Sequence, residues 1–261
     1  VHPVESYWTM MGPNRDTARQ RQQLDRQFHQ VTEWLLFNLL DFDFVSEALL
    51  PELYEPTADG KLHLGQMAYE AIVLPAMTTM RRETLDALKA FAAAGGKVIF
   101  LGGVPACVDG ALSEAPAAFA QSVVSIGFDC AQLLAELEPY RDVEVLGPDF
   151  LRSERLIYQL REEPDGQRYL FLAQGKHDNR LELNHWVTQT GREDFTVRVR
   201  GLYTAQLLDA MTGRIAHQPV SHEDGWTVMC FGVYPHDSLL LRLQPAATAV
   251  RRELALLEPV L

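Results

Sequence analysis

The sequence predicts an α/β protein in two parts: a parallel sheet with helices on both sides, followed by a smaller antiparallel β-sandwich. Three observations carry this. Residues 71–74 (Ala-Ile-Val-Leu) and 97–101 (Lys-Val-Ile-Phe-Leu) are unbroken apolar runs, as strands covered on both faces require. Between them, residues 82–94 place Leu85, Leu88 and Phe91 at helical spacing and stop at Gly95-Gly96. Strand, helix, strand in that order is the unit of a parallel sheet. From Leu156 onward, short β-rich runs are punctuated by Asp165-Gly166, Thr212-Gly213 and Asp224-Gly225. Hairpin turns at such intervals mark antiparallel pairing.

The elements follow in order. Residues 1–8 are short and rich in β-formers, and read as a first strand. Asp16 is placed to cap a long helix whose stripe is Leu24, Phe28, Val31, Leu35 and Leu39. Residues 42–45 (Phe-Asp-Phe-Val) read as a second strand, and residues 57–60 as a turn. Residues 117–126 and 131–137 read as further helices. In the second part, strands are expected at 156–160, 169–172, 205–208, 226–231 and 239–243. Residues 195–200 alternate at period 2, the mark of a half-exposed strand. The expected division is an α/β domain over residues 1–150 and a β-sandwich over 151–248. Residues 249–261 start a connection to a further domain, with a short helix over 251–259.

Composition narrows the function. The 261 residues carry 23 Lys and Arg against 35 Asp and Glu, a net charge of −12. That balance opposes nucleic-acid binding, which needs a basic face to displace counterions. No apolar run approaches the roughly 20 residues of a membrane span, and the strongest candidate, residues 34–40, is broken by Asn38. The three cysteines, Cys107, Cys130 and Cys230, are odd in number and widely spaced. They make neither a disulfide framework nor a zinc pattern. Unpaired thiols and an acidic surface lean toward the cytoplasm, with secretion left open because a leader would precede Val1. The absence of an initiator Met points to a segment cut from a longer chain.

The search for cofactor and catalytic motifs is negative. No G-x-G-x-x-G follows the first run, where Met10-Met11-Gly12-Pro13-Asn14 stands instead, so no dinucleotide is expected. No phosphate loop occurs. The histidines at 2, 29, 63, 177, 185, 217, 222 and 236 form no metal spacing. His217 and His222, flanking a hairpin, are expected to be solvated. Cys107 lies six residues after the strand ending at Leu101, without the glycine framing of a nucleophile elbow. No catalytic residue, metal or cofactor is therefore assigned.

The densest polar and aromatic segment is His2-Pro3-Val4-Glu5-Ser6-Tyr7-Trp8. In open α/β sheets, ligands bind beyond the carboxyl ends of the strands. If residues 1–6 are a strand, Glu5, Tyr7 and Trp8 lie at that edge, with Asp43 and Glu47 beside them. Rings stack on the C–H faces of sugars and carboxylates accept their hydroxyls. His2, Glu5, Tyr7, Trp8, Asp43 and Glu47 are thus the candidate substrate-binding residues. The competing reading is packing for Trp8 and helix capping for Glu47.

The same string resembles the "HP-[IV]-E-S-x-W" start of an internal domain in large bacterial glycoside hydrolases. Residues 40–47 resemble their "DFD-[FL]-[IVL]-x-E" segment. Leu64-Gly65, Tyr69, Val73-Leu74-Pro75 and Gly95-Gly96-Lys97-Val98 are similar to the "VG…Y…VVLP…GGKVI" continuation. Residues 208–213 resemble the "wD-x-x-TG" hairpin of an appended β-sandwich. The relatives are α-L-rhamnosidase-like and galactosidase-like enzymes. The resemblance implies a flavodoxin-like, class I amidotransferase-like α/β domain and then a β-sandwich. It also implies that the catalytic barrel lies upstream, as a partner within the same polypeptide, and that this segment shapes a carbohydrate cleft without cleaving bonds. A structural or homo-oligomerisation module without sugar contact is the second reading, and a Cys107-dependent hydrolase the third.

Overall fold

The computed structural model describes residues 1–10, 17–175, 192–234 and 237–254. Asp16, the expected helix cap, and His177, His185 and His236 lie outside these. The chain forms two compact units: Val1–Trp34 with Phe42–Tyr140, and Leu35–Asp41 with Arg141–Leu261.

The first unit begins with helix α1 (Val4–Thr9), not with a strand. Pro3 sits at its N-cap with φ near −82°, and Glu5 and Ser6 are buried. Their tertiary partners, described below, override the β-propensity of the Val, Tyr and Trp around them. Helix α2 (Thr17–Phe37) carries the expected apolar stripe, with Leu24, Val31 and Leu35 buried. Residues 42–45 form no strand; only a single-residue bridge links His2 to Ser46. After the short helix α3 (Leu50–Leu53), strands β1 (Tyr54–Glu55), β2 (Leu62–Leu64) and β3 (Met67–Tyr69) pair antiparallel.

Strand β4 (Ala71–Pro75) opens the parallel sheet. Strand β5 (Thr79–Met80) precedes helix α4 (Arg82–Ala93), which stops at Gly95 with φ +93°. Strand β6 (Lys97–Leu101) then lies parallel to β4. Strands β7 (Cys107–Val108) and β8 (Ala111–Leu112) form a hairpin, followed by helix α5 (Ala115–Ala120). The helix expected over 117–126 ends early. Val124–Ile126 is instead β9, parallel to β6, since Val and Ile fit a slot beside a strand better than a fourth helical turn. Helix α6 (Cys130–Leu137) follows, capped by the Asp129 carboxylate on the Gln132 N–H, and a 3₁₀ turn spans Glu138–Tyr140.

The parallel sheet has order β4–β6–β9. Ile72, Leu74, Val98 and Phe100 join Leu85, Leu88 and Phe91 of α4 and Phe119 of α5 in one core. Ile99 and Leu101 point to the other face and are also fully buried. The central strand is therefore covered on both faces.

Among the described residues, every strand pairing of the second unit is antiparallel. Strand β10 (Val143–Leu146) falls in a stretch where the sequence reading placed no element. Strands β11 (Leu156–Glu162), β12 (Arg168–Gln174), β13 (Glu193–Arg200), β14 (Tyr203–Leu208), β15 (Ile215–Gln218), β16 (Ser221–Glu223), β17 (Trp226–Val233) and β18 (Ser238–Pro245) follow. One sheet has order β10–β13–β17–β16, the other β11–β12–β18–β14–β15. Val145, Val197, Met229 and Phe231 of the first share a hydrophobic cluster with Leu170, Leu172, Leu241 and Leu243 of the second. The Asp224-Gly225 hairpin between β16 and β17 has φ +49° and +83°, the left-handed pair that a two-residue turn demands.

Two expectations fail here. Residues 251–254 are not helical, and 255–261 lie outside the described residues. His222 is not solvated: it is 3% exposed, donates from Nε2 to the Tyr203 carbonyl at 3.0 Å and accepts at Nδ1 from the Val250 N–H at 2.8 Å. Two oppositely oriented backbone partners fix the neutral tautomer. His217, on β15, is exposed as expected.

Candidate functional site

The candidate residues fall into an inner and an outer set, all within the first unit. The inner set is built on α1. Ser6, fully buried, accepts from the Thr78 N–H at 2.9 Å and lies 3.2 Å from the Thr79 carbonyl, to which its hydroxyl donates. This fixes the helix against the turn before α4. Glu5, one residue earlier, receives Arg81 Nε on Oε1 at 2.7 Å. Glu47 is fully buried and accepts the Arg81 backbone N–H on Oε2 at 2.7 Å. Arg81 is the N-cap residue of α4, so Glu47 does cap a helix end, although not that of the helix immediately following it. Asp109, at the β7–β8 turn, takes the next amide, that of Arg82, at 3.0 Å. Two carboxylates brought from elsewhere in the chain thus meet the positive end of α4.

Among the described residues, Glu5 Oε2, Glu47 Oε1 and the buried Thr84 hydroxyl have no partner within hydrogen-bond geometry, and the Thr84 hydroxyl lies close enough to Glu47 to favour its charged form. Burial pushes the Glu47 carboxyl up to about 7. The Arg81 N–H opposes that rise and the nearby Glu5 charge adds to it.

The outer set is aromatic. The His2 ring packs at 4.7 Å from Phe28 and 6.3 Å from Tyr7. Phe28 continues to Phe44 at 5.3 Å, and Phe44 meets Phe42 edge-on at 5.4 Å. Phe44 is 58% exposed and Trp8 59%. Asp43, between the two phenylalanines in sequence, is exposed and accepts the Tyr69 hydroxyl at 2.6 Å. Burial holds the Tyr7 phenol above its ordinary range, with Asp25 adding to it.

The structure therefore joins Glu5 to Glu47 through Arg81, and His2 to Tyr7, but on a different footing from the expected strand edge. Glu5, Tyr7 and Trp8 lie on a helix, and Asp43 and Glu47 follow no strand. Arg81, Phe28, Phe44 and Tyr69 join the site although the sequence pattern does not mark them as binding residues. A signal for Arg81 was present: arginines at 81 and 82, where a helix begins, oppose the macrodipole unless carboxylates answer them. Phe28 was legible only as part of a helical stripe.

Other places offer less. Cys107 begins a two-residue strand, its N–H bonded to the Thr78 carbonyl, and stands on no strand-to-helix elbow. Among the described residues, no group of three or more His, Cys, Asp or Glu side chains could hold a metal ion. An open groove of about 570 Å³ in the second unit is lined by Ser221, Glu223, Asp224, Arg251 and Arg252. Its charges offset one another, and no aromatic face stands in that lining. Among the described residues, no helix is long and apolar enough to cross a membrane.

This is the architecture, at the level of fold, of segments within glycoside hydrolases. A rhamnosidase from Novosphingobium sp. PP1Y superposes with a TM-score of 0.62 at 18% identity, over 82% of this chain and 20% of that one. The α-L-fucosidase isoenzyme 2 from Paenibacillus thiaminolyticus superposes with a TM-score of 0.50 at 12% identity, over 83% of this chain and 44% of that one. This chain thus spans a fifth of the first and less than half of the second. No protein-family model and no curated protein sequence matches it.

Proposed function

We propose that this chain is a non-catalytic segment of a carbohydrate-active glycoside hydrolase, an amidotransferase-like, flavodoxin-like α/β domain followed by a β-sandwich. In this reading its first unit lines a sugar cleft. The observation that carries it is the outer set: linked, partly exposed rings beside an exposed carboxylate that Tyr69 holds in place. A ring face takes the C–H side of a pyranose, and Asp43 accepts its hydroxyls. His2, Tyr7, Trp8 and Asp43 keep the contact role that the sequence suggested, and Phe44 joins them. Glu5 and Glu47, turned inward, hold that face in position. Likeness of fold does not assign function, so the supporting weight is on these side chains.

The test is titration of the chain with L-rhamnose and with D-galactose, followed by NMR of side-chain resonances. Shifts confined to the rings around Asp43, lost in Phe44→Ala and Asp43→Asn, support the reading. Absence of shifts together with self-association in analytical ultracentrifugation replaces it with a homo-oligomerisation module. Turnover of an aryl glycoside by the chain alone refutes the non-catalytic part.

A further inference from the structure

The inner set has a charge imbalance that geometry makes hard to sustain. Glu47 is enclosed by Glu5 from α1, by Arg81 at the start of α4, by the Thr84 hydroxyl from its first turn and by the α-amino group of Val1. Burial lowers that amine to about 5, so it carries no charge at neutral pH. Two carboxylates then face one guanidinium. Arg81 satisfies one oxygen on each, through Nε for Glu5 and the backbone N–H for Glu47; the other oxygen of each has no partner within hydrogen-bond geometry among the described residues, although the Thr84 hydroxyl lies near Glu47 and favours its charged form. A buried carboxylate with an unfilled lone pair is costly, and a second negative charge nearby adds to the cost.

We propose that Glu47 serves as a carboxylic acid in the folded chain, and that Glu5, Glu47 and Arg81 form a one-proton lock seating α1 against the start of α4. One negative charge then meets one positive charge. The acid proton supplies a donor where the acceptors left over in the cluster are Glu5 Oε2 and the Thr84 hydroxyl. Because α1 also carries Tyr7 and Trp8, opening the lock would release part of the outer face; this consequence alone rests on the proposed carbohydrate role. The sign follows from the raised pKa of the folded state, about 7 against an ordinary value of 4.5. The folded chain keeps a proton that the unfolded chain sheds. The lock is at full strength below about pH 4.5 and is lost as pH rises through about 7.

The experiment is urea unfolding of the whole chain from pH 5 to pH 8.5, with ¹³C NMR of the glutamate carboxyl groups. Relative to Glu47→Gln, an uncharged mimic of the acid, the folding constant of the first unit in the parent chain is expected to fall at least tenfold across that range. The ratio removes the groups common to both chains, the Val1 amine among them, whose lowered value makes its own contribution rise with pH. In Glu5→Gln the Glu47 titration moves to lower pH. A parent-to-Glu47→Gln ratio that stays flat or rises with pH, or a Glu47 carboxyl resonance titrating below pH 5, overturns the lock. A falling ratio with no sugar-induced shift at pH 6 keeps the lock and removes the carbohydrate face; sugar shifts with a flat ratio do the reverse.

Discussion

Glu47 and Glu144 are both buried glutamates, one in each unit, and they are treated in opposite ways. Glu144, on β10, is 6% exposed and offers both oxygens to arginines: Oε1 to Arg152 Nε at 2.7 Å and Oε2 to Arg198 Nη1. Arg198 then lies over the Trp226 ring at 5.1 Å, and Arg200 over the same ring at 4.6 Å. The charge is answered twice and its partners reach solvent. Glu47 has one backbone N–H within hydrogen-bond geometry, the Thr84 hydroxyl nearby and a guanidinium already engaged by Glu5. Burial does not by itself decide what a carboxyl does; the count of donors around it does.

Substitutions that break this contrast rank by how much uncompensated polarity they leave. Glu144→Ala strands two guanidinium groups, one of them 26% exposed, and is expected to cost about 3 kcal/mol in urea unfolding, the low end for breaking a buried pair. Glu47→Ala leaves the Arg81 N–H without an acceptor and is expected to cost about 2 kcal/mol at pH 5. It should cost less at pH 8, where the parent already bears a disfavoured charge, so the two pH values separate the proton from the hydrogen bond. His222→Ala, in the second unit, orphans the Tyr203 carbonyl and the Val250 N–H and should cost about 1–2 kcal/mol. Gly225→Ala, at φ +83°, should cost about 1 kcal/mol without altering any charge response. Trp8→Ala and Phe44→Ala sharpen the other side of the contrast. Both side chains are more than half exposed, so stability should change by less than about 0.5 kcal/mol, while sugar-induced shifts vanish.

Legibility differed between the units for a related reason. In the second unit the period-2 alternation of residues 195–200 and the three turn dipeptides are local codes, and β13 with its neighbouring hairpins follows them. In the first unit, β4, α4 and β6 were equally plain, because unbroken apolar runs and a glycine stop are local too. The opening segment misled. Val4, Tyr7 and Trp8 favour strands, but Glu5 and Ser6 find partners more than 70 positions away, at Arg81 and Thr79, and a helix presents both of them. The linear pattern gathers acids and rings near the start of the chain, but it does not separate the inward acids, Glu5 and Glu47, from the outward Asp43.

The chain's own order of residues determined where backbone must turn, which runs must be buried, and that carboxylates and aromatic rings are concentrated near its start. Those properties depend on neighbours a few positions apart. Only the tertiary structure decided that Glu5 and Glu47 converge on Arg81 while Asp43 and Phe44 remain exposed. Protonation and contact depend on dielectric and on donors supplied from distant positions, and both exist only once the chain has closed around them.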